Sequence, residues 1–518
     1  MDYDRLLETA SKSVTNDKQT VPFDSGLDIE AYPFSIRRLG DIFFFIGTRL
    51  KDKGLFLLYK QPDAPTAGRF NGTLLKDGLK GGWSLKNCLM IHSNAEMLRE
   101  KFPFLRARIL GTANSIGTGD RLGLANPGHI RAVKGSGLLA VLAQQSIREL
   151  TRTQRKPEDV MDSASWAAFQ EGFEEGFGAD ADHLKTAADV DLLVAAGFTM
   201  YTIDPGEHVN NAADKLIPKD VQIQIDQLKW KDLEDTHADC LRRYAAKSVL
   251  LPGDFRLTPT AEQVSRALVK YGRAIAHIHF LYKHLHGKKS GEPFELEASV
   301  DETESVTSPF EHYFIASELR RLGVSFVSLA PRFIGDFEKG IDYKGDLKTF
   351  ETEYRKHVSI SMELGPYKIS LHSGSDKFSL YPIMAGQKNG TLHVKTAGTS
   401  WLVALQTISM TAPDLFREIF DFAKQHYPAD RQSYFVSGRL EDVPLGKDIG
   451  NGQLPDLFDQ NAARQVLHVT FGSVMTAVGP DGREQFRQRI LGTLKDNETR
   501  HYENLVNHIR KHVQPFIR

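Results

Sequence analysis

Two short apolar runs in this chain carry histidines and open into loops of small polar residues. Ile369 to Leu371 is followed by His372 and then Ser373-Gly374-Ser375; Leu392 to Val394 holds His393 and leads into Lys395-Thr396-Ala397-Gly398. In parallel α/β architectures functional groups collect at the carboxyl ends of strands, so a polar residue where an apolar run stops is informative. Imidazole is also the commonest side-chain metal ligand. A third tip, GADADHLK, sets Asp182 beside His183, and FELEASVD puts Glu295, Glu297, Ser299 and Asp301 on one face. Facing solvent, that strand is a polar edge; facing a barrel centre, its carboxylates need a metal, a partner or a proton. His183, His372 and His393 together would supply three nitrogen donors and leave positions open for substrate oxygens, the pattern of a catalytic metal site. A divalent ion there acts as a Lewis acid, and Asp182 and Glu297 on opposite sides take and return protons. Taken singly, each histidine also reads as a hydrogen-bonded strand-end residue, and each carboxylate as half of a structural salt bridge.

Composition narrows the setting for this chemistry. The chain has 518 residues, long enough for a barrel-sized domain with additions, with 41% hydrophobic and 25% charged residues and a formal net charge of −1. It has no basic excess to hold a phosphate backbone, which argues against nucleic acid as a partner. The two cysteines, Cys88 and Cys240, are far apart and form neither a disulfide framework nor a thiolate zinc motif, so a reducing cytoplasm fits. The opening MDYDRLLETASKS lacks the basic-then-apolar pattern of a signal peptide, and no apolar run is long enough to span a bilayer, so no membrane association is expected.

The elements that must position these residues follow a βα rhythm. Residues 1–105 read as an appended region with a hairpin of Ile42 to Thr48 and Leu55 to Tyr59, turning at Lys51-Asp52-Lys53-Gly54. Residues 106–410 read as a closed (β/α)8 TIM barrel with strands near 110, 140, 180, 200, 297, 327, 370 and 393. An open doubly wound sheet is the alternative, weakened by the missing glycine fingerprint. Helix starts are marked by Thr186 with Asp189, Thr260 with Gln263, Ser308 with Glu311, and Asp346. An insertion at 207–293 is largely helical, with one helix expected over Val221 to Ala246 and a second carrying His277 and His279. It is read as a lid or as a contact between copies in a homo-oligomer. Residues 411–518 form a helical extension on the barrel exterior, with His468 as a packed residue.

The Gly/Ser/Thr-rich segment Arg108 to Ala125, with Asp120 and Arg121, has no nucleotide-loop spacing; it is a substrate-carboxylate loop or a plain strand-to-helix connection. Polar residues expected to touch substrate are Gln145, Asp120, Lys185, Asp301, Ser373 and Lys395.

Six blocks carry a family resemblance: GDRLGLANPGHIRAV (from Gly119), GADADHLKT (from Gly178), TIDPGEH (from Thr202), SVDETESVTSPFEHYFIASEL (from Ser299), SLHSGSDKFSLYPI (from Ser370) and LHVKTAGTSWL (from Leu392). Together they resemble the tagaturonate epimerase family across nearly the whole chain from Arg108 onward. The resemblance implies a barrel enzyme of bacterial galacturonate catabolism that interconverts tagaturonate and fructuronate with a divalent cation, whether zinc, manganese, nickel, cobalt or iron. It further implies His183 and His372 as metal ligands, Asp182 as proton acceptor and Glu297 as proton donor. His393 as third ligand rests on spacing instead.

Such a reaction inverts a carbon β to the ketone, whose hydrogen the carbonyl does not acidify. Transient oxidation, elimination with re-addition, and retro-aldol cleavage with re-addition are the available routes. Oxidation calls for a nicotinamide site, whose fingerprint is missing. Retro-aldol cleavage needs a base and a metal, and a Schiff base on Lys395 or Lys185 is its competitor. A class II-type aldolase, a tagatose/fructose 4-epimerase and a sugar-binding protein are the alternative functions.

Overall fold

Eight parallel strands close into a barrel, and their residue order along the chain is also their order around it. They are β1 (Ser115–Gly117), β2 (Leu139–Ser146), β3 (Gly178–Leu184), β4 (Met200–Ile203), β5 (Glu295–Ser299), β6 (Ser328–Ala330), β7 (Lys368–Leu371) and β8 (Leu392–Lys395). His393 of β8 pairs with Ser115 of β1 to complete the circle. The computed structural model describes residues 19–24, 26–387 and 390–517; the MDYDRLLETASKS reading lies outside them. Among the described residues no helix is long and apolar enough to cross a membrane.

The first strand lies at 115–117 rather than near 110, because residues 108–114 run beneath the barrel. There the backbone N–H groups of Leu110 and Gly111 donate to Glu295 Oε1, the former at 2.8 Å. Side chains facing the barrel centre are polar over most of its depth, with Ser115, Asp180, Thr202, Glu295, Glu297, Lys368, Ser370 and His393 all buried. The aliphatic layers usual in this fold are replaced by charge.

The connecting helices begin where short polar side chains can cap them. Capping boxes join Thr186 to Asp189, Thr260 to Gln263 and Ser308 to Glu311, and Asp346 caps the helix Leu347–Glu363. The insertion departs from the sequence reading. Its first helix is broken into Pro218–Asp226, Trp230–Leu233 and His237–Tyr244, the last restarted by the Thr236 cap. A small hairpin of Val249–Leu251 and Phe255–Leu257 follows.

Ahead of the barrel stands a seven-stranded antiparallel sheet. Its central pair, Ile42–Arg49 and Asp52–Lys60, turns on Leu50 and Lys51, both with positive φ, one step earlier than the expected Lys51 to Gly54 turn. Period-two alternation sends Phe44 and Ile46 into the barrel-side core, and Phe43 and Phe45 into a separate apolar layer.

After β8 the chain is helical and builds a second core around Trp401, Phe416, Phe420, Leu467 and Phe471. The helix Glu498–Val513 lies against the barrel helix Asn126–Val133, and a Cβ at Gly128 would stand 2.7 Å from Leu505 Cβ. Gly128→Ala should therefore destabilise the protein by about 1–3 kcal/mol through overpacking. That outweighs the gain of up to about 1 kcal/mol that alanine has over glycine in a helix. The urea midpoint reads this, and a midpoint at or above wild type would mean the two helices separate without loss.

Candidate active site

The carboxyl-end mouth of the barrel holds a cavity lined by Arg121, Gln144, Ser146, Asp182, His183, Lys339, His372, Ser373, Lys395 and His468, among others. Adjacent residues of a regular strand face opposite sides, so Asp182 and His183 reach one cavity only because β3 is irregular. Its register with β4 shifts between Ala181 and Leu184, and His183 has φ of +51°. The turn at Ser373, φ +49°, similarly brings both His372 and Ser373 to the wall.

Lys395 stands at the centre of the site. Its Nζ lies 2.8 Å from Asp180 Oδ2, 2.7 Å from Asp182 Oδ1 and 2.8 Å from Glu297 Oε1, and donates to Thr202 Oγ1 at 2.7 Å. Burial opposes its charge, but the three carboxylates outweigh this and raise its pKa well above that of an ordinary lysine. A nitrogen held protonated has no lone pair for a Schiff base. Burial raises the carboxyls of Asp182 and Glu297, yet Lys395 and the neighbouring imidazoles outweigh it and hold both below the usual range. Asp180, with Asp182 and Glu297 adding to the effect of burial, is pushed up to about 6.

Asp182, His183 and His372 offer ligand atoms within 4.8 Å of one another. The two imidazole rings meet edge to face, centroids 5.0 Å apart. Asp204 Oδ2 lies 3.3 Å from His183 Nδ1, orienting that ring from behind as carboxylates do for metal-bound histidines. His372 Nε2 is 2.5 Å from Glu297 Oε1, and its Nδ1 is 3.1 Å from Asp301 Oδ1. Burial works against protonation of both rings, but the carboxylates prevail, raising His183 to about 9 and His372 to about 10. Two imidazolium groups so close repel each other. A divalent cation would satisfy the same carboxylates and leave both imidazoles neutral, so the donor set fits a metal.

The other expected residues are distributed unevenly. His393 shares the inward face of β8 with Lys395 but sits two residues deeper. Its Nδ1 lies 2.9 Å from Ser115 Oγ, burial lowers its pKa to about 3, and it stands outside the His183 and His372 group. Glu297 is fully buried behind His372 and Lys395 rather than on the cavity wall. On β2 Gln144 faces the cavity; Gln145 points the other way and donates to the Asp120 backbone carbonyl. Asp120 is not on the wall either: its carboxylate accepts from the N–H groups of Leu122, Gly123, Leu124, Ala125 and Asn126, which fixes the loop. Lys185 is part-exposed and pairs with Glu207 at 3.2 Å, also off the wall. Asp301 lines the outer part of the cavity, and Ser373 and Lys395 its inner part. Sequence reasoning missed Lys339, Tyr434 and the cavity-lining position of His468, which come from long loops and from the C-terminal extension. Arg121 carried the one usable signal, its place in the glycine-rich loop after β1.

Comparison with known proteins gives concordant matches. A family model described as UxaE, tagaturonate epimerase, matches residues 32–516. The tagaturonate/fructuronate epimerase of Thermotoga maritima is 43% identical over 488 residues, covering 94% of this chain and 97% of that protein. The native crystal structure of fructuronate-tagaturonate epimerase UxaE from Cohnella laeviribosi superposes with a TM-score of 0.87 at 34% identity, covering 95% of this chain and 97% of that one. A glycerol complex of the same enzyme gives 0.87 with 94% and 96% covered.

Lys395→Met should remove the cation in direct contact with three buried carboxylates. We expect a loss of about 3–5 kcal/mol in stability and no detectable turnover. Unfolding and activity measurements on the purified variant check this, and near-wild-type stability would show that the carboxylates take up protons without cost. Borohydride treatment of the wild type during turnover should leave no adduct on Lys395.

Proposed function

The chain belongs to the tagaturonate epimerase family, and from that we propose that it interconverts D-tagaturonate and D-fructuronate by breaking and re-forming one carbon–carbon bond. It is an isomerase of the carbohydrate epimerase class. The observation that carries the mechanism is the joining of Asp182 to Glu297 through Lys395, next to two imidazoles placed to hold a divalent cation.

In this reading His183 and His372 hold the cation, drawn from zinc, manganese, nickel, cobalt or iron, with Asp182 and Asp301 close by. When bound, it supplies a Lewis acid for the ketone end of the substrate. The remaining steps belong to the chain. Asp182, ionised at the cavity wall, takes the proton from the hydroxyl on the carbon to be inverted. That O–H electron pair becomes the new C=O, the bond to the carbon α to the ketone breaks, and its electrons stay on the three-carbon ketone fragment as an enediolate. The aldehyde turns by half a rotation and the enediolate adds to its other face. Lys395, on the cavity wall between Asp182 and Glu297, passes a proton to the new alkoxide and is recharged from the protonated Asp182, while the ionised Glu297 behind it holds the nitrogen in place for that transfer. His393, deeper in the barrel and neutral, orders the β1 and β8 strands through Ser115 in this scheme and is not required as a ligand. Lys395 thus serves as the proton link and forms no covalent bond to the substrate.

Chelation should abolish activity, and a divalent cation of the first transition row should restore it. Asp182→Asn should keep the fold and lose roughly two or more decades of rate. During turnover in heavy water the hydrogen on the inverted carbon should stay in place, and a small amount of three-carbon aldehyde acid should be trappable. Full activity in metal-free enzyme, or deuterium entering that carbon, would overturn the scheme.

A further inference from the structure

The cavity wall carries groups of opposite charge. Carboxylates crowd around His183, His372 and Lys395, whereas two cations and a neutral imidazole reach the same cavity from separate parts of the chain. Arg121 comes from the loop after β1, Lys339 from the loop after β6, and His468 from the helix Asn461–Val469 of the C-terminal extension.

Arg121 is 5% exposed and rigidly held. Its Nε and Nη2 donate to Glu149 Oε1 at 3.1 and 2.8 Å, and its guanidinium lies 3.7 Å from the centre of the Phe471 ring. Glu149 is itself fixed by the capping box with Ser146. Arg121 Nη1 is buried and has no hydrogen-bond partner. His468 Nδ1 is likewise buried and unpartnered, and the ring feels the charges of both Arg121 and Lys339. Lys339 Nζ donates to Ser373 Oγ at 2.5 Å and pairs with no carboxylate among the described residues. Of the other cations on this wall, Arg148 already has Glu302 at 3.6 Å, and Lys377 Nζ donates to the carbonyls of Glu338, Ile341 and Ser375. Buried donors and an uncompensated ammonium are costly, and one planar anion placed among them removes the cost. Room for His468 is made by Gly398, where a Cβ would lie 1.9 Å from His468 Nε2.

We propose that Arg121 and Lys339, on the same cavity wall as His468, form the pocket for the substrate's carboxylate and set the preference for a uronate over the neutral ketohexose. This rests on the proposed function: the carboxylate lies on the fragment that becomes the aldehyde. Gripping it holds that fragment while its carbonyl turns about the adjacent carbon–carbon bond.

Two measurements on the metal-loaded enzyme test the pocket. Lys339→Met should lower the ratio of kcat/KM for tagaturonate over tagatose by roughly 10- to 100-fold, with KM carrying most of the change, and Lys339→Arg should recover most of it. Equal losses on both substrates would assign Lys339 a structural role and overturn the proposal. Separately, calorimetric binding should show gluconate held more tightly than sorbitol by wild type, with the difference erased in Lys339→Met. No preference for gluconate in wild type also overturns it. Because binding is read without turnover, a wild type that favours gluconate yet fails to epimerise tagaturonate would count against the proposed reaction and leave the anion pocket supported.

Discussion

The ammonium of Lys395, buried in the barrel among Asp180, Asp182 and Glu297, is the interaction on which the rest depends. Taking so many charges out of water is costly unless each finds a partner. Lys395 and the deeper Lys368 are two cations against the four carboxylates of Asp180, Asp182, Glu295 and Glu297, and Asp204 and Asp301 add to the excess around His183 and His372. The surplus negative charge raises both imidazoles and pushes Asp180 up to about 6. The same surplus makes a strong site for a divalent cation. Charge in the barrel centre thus links two properties that look separate, a lysine with no nucleophilic character and a pair of histidines suited to a metal.

Much of this was legible because strands repeat every two residues. The alternation in FELEASVD forecasts Glu295 and Glu297 on the inward face, and capping residues such as Ser308 and Thr260 fix where helices begin. The same periodicity explains the misplacements. His393 has the right parity but lies a layer below the tip, since parity gives the face of a strand and not the depth. Gln144 and Gln145 are adjacent, and only the pairing of β2 with β3 decides which one faces inward. Asp182 and His183 share the cavity through an irregularity that no periodic pattern signals. The break in the helix expected over Val221 to Ala246 is a tertiary effect, with Leu228 and Trp230 turned into the core beside the helix Ala261–Lys289.

The cationic part of the cavity wall was illegible for a different reason. Arg121, Lys339 and His468 are separated by more than a hundred residues at each step; closure of the barrel brings the loops after β1 and β6 to one cavity, and docking of the C-terminal helices adds His468. Those helices also grip the loop after His372. Asp376 pairs with Arg464 at 2.7 Å and with His508 at 2.6 Å, and its backbone N–H donates to His512 Nε2 at 3.0 Å. Lys377 Nζ donates to the carbonyls of Glu338, Ile341 and Ser375. The extension therefore acts as part of the site's frame, fixing both a proposed metal-ligand loop and a wall of the cavity.

A ketose acid carries its ketone toward one end and its carboxylate at the other, so a symmetric site would admit it in two directions. In the proposed binding mode the wall is not uniform in charge. The anion is repelled from Asp182, Asp301 and Glu297 and attracted toward Arg121 and Lys339, while the ketone oxygens suit the cation expected at His183 and His372. In that mode only one direction would satisfy both anchors, keeping the carboxylate away from the base and the carbon between the anchors near Asp182. Electrostatic polarity across the cavity would then select which hydroxyl loses its proton, a choice that a nonpolar pocket of the same shape would leave to chance.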